Sequence, residues 1–199
     1  MRQFISVLVL FISCNLFSQK AKLILGGGLS KINNSTFPIL NKNVFVFSGG
    51  VGLDWLENDR YYISSELGYM QIGGKETNPS LPNPFKEMEK KWGFASLTST
   101  FRYKLPISST FFFIGAGPKI NISLDSSSAF ENTIYDGGLK MKTVNFGLNT
   151  ELGYMHDWDN FRAGIIGSYL VGISPIADTE FTKLKGNPLY ISLSFGVNL

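Results

Sequence analysis

One cysteine and one histidine occur in the 199 residues. That excludes a disulfide scaffold and a Cys/His zinc cluster. Charge is scarce too. Charged residues make up 17% of the chain, whereas a soluble domain carries about 25%. No apolar run reaches the about 20 residues that a membrane-spanning helix needs. The net charge of +3 is scattered, so no basic stripe marks a nucleic-acid partner. What is abundant is apolar: 44% of residues are hydrophobic and 14% aromatic, with 17 Phe and 21 Gly. That content excludes disorder, and the length suits one domain. Either the core is unusually large, or much of the surface does not face water.

The N-terminus, MRQFISVLVLFISCNLFSQ, reads as a secretory signal. Arg2 is its basic region, Phe4–Ile12 its short apolar region, and cleavage is expected after Ser18. The chain then divides into a signal peptide, 1–18, and a mature domain, 19–199. A second possibility is acylation of Cys14, because Phe11-Ile12-Ser13-Cys14 resembles a lipobox with Phe where Leu is usual.

The mature chain alternates with a period of two. Strands are expected near 21–31, 43–55, 60–72, 92–105, 109–124, 142–156, 160–173 and 188–199, and no long helix. In the sixth run Val144, Phe146, Leu148, Thr150, Leu152 and Tyr154 share one face, and Asn145, Gly147, Asn149, Glu151 and Gly153 the other. Three connections are tight: Glu57-Asn58-Asp59, Pro106-Ile107-Ser108 and Asp157-Trp158-Asp159. Longer loops near 32–42, 73–91, 125–141 and 174–187 alternate with them. This is an up-and-down meander, and eight strands suffice to close a barrel without free edges.

The charges decide which face is outside. Asp54, Glu66, Arg102, Lys104, Lys119, Glu151 and Arg162 all fall on the small, polar face. That face is too rich in Gly, Ser, Asn and Thr for a soluble exterior. The apolar face carries no charge, as lipid contact requires, since a midplane Lys or Arg costs about 2–4 kcal/mol. On it Trp55, Tyr61, Tyr103, Phe112, Tyr154 and Phe161 gather at the tight-turn end, and Phe45, Tyr69 and Tyr169 nearer the loops. Two interfacial belts are expected. Inside, Glu66, Arg102, Glu151 and Arg162 are expected to form a charge-balanced network, with Asp54 and Lys104 closer to the turns.

The Leu-Phe-Ser-Gln signal end (16–19), Val51-Gly52-Leu53, Leu67-Gly68-Tyr69, the repeated Glu-Leu-Gly-Tyr-Met at 66–70 and 151–155 and the alternating last strand carry a resemblance. The mature chain resembles small bacterial outer-membrane β-barrels such as the OmpA transmembrane domain and OmpX. Within them it is similar to the Bacteroidota-type, PorT-like barrel domain. The resemblance implies an all-β, eight-stranded antiparallel transmembrane barrel in the bacterial outer membrane, with its turns and termini in the periplasm. It implies lipid and the outer-membrane assembly machinery as partners. Many members end in an aromatic residue read by that machinery; here the end is Leu199, with Phe195 upstream.

Catalytic, cofactor and metal sites are not expected. His156 and Asp157 adjoin a turn with no serine placed to complete a dyad. Gly26-Gly27-Gly28 and Gly49-Gly50 lack the Lys-Ser/Thr and helix of a phosphate loop. The expected role is non-enzymatic: envelope structure, surface interaction or accessory service to secretion. A protein partner would meet loops 73–91 and 174–187, where Pro175, Phe181 and Leu184 are candidate contacts. Two alternatives stand beside this reading, a lipocalin-like secreted carrier and an outer-membrane lipid-modifying enzyme.

Overall fold

The computed structural model describes residues 19–34, 40–77, 87–125, 140–178 and 183–199. The expected signal peptide, with Cys14, lies outside the described residues, as does Phe181.

Eight long strands form a closed antiparallel barrel. They are β1 (Lys20–Ser30), β3 (Val44–Trp55), β4 (Tyr61–Thr77), β5 (Glu87–Ile107), β6 (Thr110–Ser123), β8 (Val144–Asp157), β9 (Phe161–Gly172) and β12 (Leu189–Asn198). Each pairs with its chain neighbour, and β1 closes on β12 from Lys20↔Asn198 to Leu29↔Leu189. Every expected run is a strand. Two run further than their alternation shows: β4 and β5 continue as a hairpin arm through Lys75↔Glu89 to Thr77↔Glu87. Part of the expected 73–91 loop is therefore strand.

The tight turns close by local chemistry. The Asn58 side-chain oxygen accepts from the amides of Arg60 and Tyr61, both at 2.9 Å. Ser108 and Leu56 take positive φ of 57° and 50°. The β5–β6 ladder is interrupted between Thr98↔Lys119 and Phe101↔Ala116. Pro118 falls there and has no N–H to give. A Cβ on Gly117 would sit 1.9 Å from the Ser99 carbonyl oxygen. Only glycine allows the backbones to meet so closely.

The other long connections contribute strands as well. Four short strands, β2 (Ile32–Asn34), β7 (Lys140–Met141), β10 (Ala177–Asp178) and β11 (Lys183–Gly186), form a second sheet in the order β2-β11-β10-β7. Segments of two to four residues carry too little alternation to be read from sequence. This sheet caps the loop end. Ile32, Met141, Ala177 and Leu184 of its inner face join one buried cluster with Val44, Val46, Met70, Ile72, Trp92, Phe94, Leu170 and Tyr190 of the barrel wall. The expectation of a uniformly small, polar interior is thus corrected. At the turn end a second apolar cluster, Tyr62, Phe111, Phe113, Met155 and Ile166, fills the lumen. Alternation assigns these side chains to the inner face but cannot say that they meet.

The outer wall is the reverse of a soluble surface. Leu25, Leu67, Leu152 and Ile191, on four different strands, are 56–64% exposed. Apolar side chains stand out from all eight strands. Soluble monomers rarely expose a patch beyond a few hundred Å². Between the aromatic belts no charged residue stands on this face among the described residues.

Candidate functional site

The lumen holds an ion network in two tiers, placed by the inward positions of six strands and one turn. The upper tier centres on Arg102, which is fully buried. Its Nε donates to Glu151 at 2.6 Å and its Nη2 to Glu66 at 2.8 Å. Lys22 lies 2.8 Å from both Asp54 and Glu66 and donates to Ser64. Asn149 donates to the second Glu151 oxygen at 2.7 Å. The lower tier centres on Arg162, with Nε 2.6 Å from Asp157 and Nη2 2.5 Å from Glu57. Lys104 and Lys20 also reach Glu57, at 2.8 and 3.2 Å. Asp54 joins the tiers: its other oxygen is 3.5 Å from Arg162.

The aromatic cluster stacks against these cations. The guanidinium of Arg102 lies 4.8 Å from the Phe113 ring, that of Arg162 4.8 Å from the Phe111 ring, and Tyr62 faces both. Such contacts stabilise a desolvated cation by about 2 kcal/mol. Phe113 in turn occupies the space that a Cβ on Gly153 would take, 2.2 Å from the ring.

All seven inward residues expected from sequence line the lumen, and register decides their pairing. Glu151 pairs with Arg102 and not with Arg162, which turns to Glu57 and Asp157. The strand neighbours Glu151 and Arg162 are offset along the wall, because Arg162 stands opposite Asp157 in register. Lys119 borders a cavity of about 50 Å³ shared with Glu66, Asn149 and Glu151. That is room for one or two water molecules.

Four members were missed from sequence: Lys20, Lys22, Glu57 and Asp157. Lys22 carried a signal, since it alternates with the outward Leu23 and Leu25. Glu57 carried none. It sits in a turn and reaches the lumen after the positive-φ residue Leu56. Burial alone would raise the pKa of its carboxyl. A hydrogen bond and the charge of Arg162, a hydrogen bond from Lys104 and the charge of Lys20 outweigh burial and hold it at about 2.

On the outer wall, Tyr61, Tyr103, Tyr154 and Phe161 are exposed at the turn end, and Phe45, Tyr69 and Tyr169 towards the loops. Trp55 is half-buried on the same face and donates to Ser65 at 3.0 Å. Tyr61 stacks on Phe101, and Phe112 packs at a tilt against Tyr154. Successive residues of a strand face opposite ways. His156 therefore lies on the outer wall, 4.1 Å from the Trp158 ring, while Asp157 binds Arg162 inside. The loop residue Leu184 is fully buried in the cap and offers no surface contact.

No family model and no curated protein matches the sequence. Solved structures do match. The crystal structure of Neisserial surface protein A is similar with a TM-score of 0.52 and 13% identity, over 87% of this chain and 95% of that one. The solid-state NMR structure of outer membrane protein AlkL in lipid bilayers is similar with a TM-score of 0.52 and 7% identity, over 92% and 90%. The fold is that of the small outer-membrane barrels. A closed barrel leaves no unpaired strand edge to lipid, and an apolar wall between aromatic belts is how such a chain crosses the outer membrane. The protein resides in the bacterial outer membrane. Its scarce charge is spent inside and at the two ends.

Proposed function

We propose that this barrel is a closed, non-enzymatic membrane anchor that presents a folded cap at the cell surface. The observation that carries this reading is the filling of the lumen. Under the cap lies an apolar plug, and below it a buried ion network with an aromatic cluster packed against its cations. Between the plug and the network, beside Glu66, Lys119 and Glu151, a cavity of about 50 Å³ is left. An eight-stranded barrel is just wide enough for its own side chains, and here they are large.

Short turns in such barrels lie in the periplasm and long loops outside. The cap sheet then faces the medium, and the tyrosine and tryptophan belts anchor the wall at the two headgroup levels. Accessory service to a secretion system, which the PorT-like resemblance implies, is one form of this reading and would use the cap as its docking face. Planar-bilayer recording of the purified protein tests the reading. No unitary conductance is expected at neutral pH. Stable open-channel steps would overturn it.

A further inference from the structure

The cap sheet has two faces of opposite character. Its inner face, Ile32, Met141, Ala177 and Leu184, is buried on the lumen plug. Its outer face carries Lys140 on β7, Asp178 on β10, and Lys183 and Lys185 on β11. Register sets Lys183 and Lys140 on either side of Asp178. Lys142, just beyond β7, reaches the same carboxylate at 2.9 Å. Asp178 is the only acid among the described residues of this sheet, and four ammonium groups surround or adjoin it. At the same end Lys42 and Lys75 face each other across a β-bridge, where Glu87 lies 3.9 Å from Lys75. Like charges set side by side on a sheet are destabilising.

We propose that the outer face of the cap is a docking surface for a linear acidic polysaccharide. The inference rests on the closed-anchor reading for the direction in which the cap faces. Because the inner face packs on the lumen, the lysines point along the barrel axis, away from the headgroups of the surrounding leaflet. Lys140 and Lys183 are two strand spacings apart, about 10 Å. A polymer with carboxylate or sulfate groups along its length can meet both.

The test uses the whole protein in neutral-lipid nanodiscs, with heparin as the probe and salt as the variable. Binding is expected at low ionic strength and is expected to weaken steeply with salt. The triple variant Lys140→Gln/Lys183→Gln/Lys185→Gln is expected to bind about 100-fold more weakly, at roughly fivefold per lysine. Asp178→Asn removes the competing carboxylate and is expected to tighten binding severalfold. It also keeps the test decisive if the triple variant fails to fold. Absence of heparin binding, equal binding by the triple variant, or binding to anionic vesicles alone overturns the proposal. A barrel that conducts yet binds heparin through these lysines overturns the closed-anchor reading and leaves this one standing.

Discussion

Replacing Arg102 probes the lumen most directly. In Arg102→Met the chain keeps a long side chain against Phe113 and Tyr62 but loses the guanidinium. Glu66 retains Lys22 at 2.8 Å. Glu151 loses its 2.6 Å ion pair and keeps the Asn149 amide, with Lys119 across the small cavity. The upper tier balances as built: Lys22, Arg102 and Lys119 against Asp54, Glu66 and Glu151. Without Arg102 it holds two cations and three carboxylates. Removing one partner of a buried pair costs about 3–5 kcal/mol, because the other charge stays buried. Replacing both is far milder. Arg102→Met/Glu151→Gln is therefore expected to recover at least about half of the loss, a coupling that a double-mutant cycle isolates. The assay is urea unfolding in detergent, followed by tryptophan fluorescence and heat-modifiable mobility. A single variant within about 1 kcal/mol of the parent, or a double variant no more stable than the single, would refute the reasoning.

Glu57 gives the barrel an acid limit. Its pKa falls from an ordinary 4.5 to about 2 in the folded protein. A depressed carboxyl stabilises the fold above its unfolded pKa, and that contribution is lost as pH falls from 4.5 towards 2. Unfolding midpoints measured across this window should drop, and the drop should shrink in Glu57→Gln. In the cap, Leu184→Ala is expected to cost about 2–5 kcal/mol locally. Faster hydrogen exchange at β10 and β11 with an unchanged barrel melting point would show it. Gly153→Ala drives a methyl into the Phe113 ring and is expected to destabilise by about 1–3 kcal/mol, read by the same urea assay. Mass spectrometry of the protein from outer membranes should give a mature chain beginning at Gln19; a chain retaining an acylated Cys14 would contradict cleavage after Ser18.

Alternation by itself determined the wall. A strand's side chains must point in and out by turns, so eight runs with Leu193, Phe195 and Val197 on one side and Ser192, Ser194 and Gly196 on the other fix the barrel and its lipid face. The same parity put Glu66, Arg102, Glu151 and Arg162 inside. It could not say who pairs with whom. That depends on the relative height of strands, and the Arg162↔Asp157 register sent Arg162 to the turns and left Glu151 to Arg102. Glu57 escaped because a turn has no parity. The plug and cap escaped for a related reason. Their short strands make sense only once Leu184 and Met141 meet Trp92 and Tyr190, contacts between segments far apart in the chain. What faces lipid is a local property, and one residue's neighbours along the strand suffice to set it. What packs over the loop end of the lumen is decided by how the barrel brings distant segments together there.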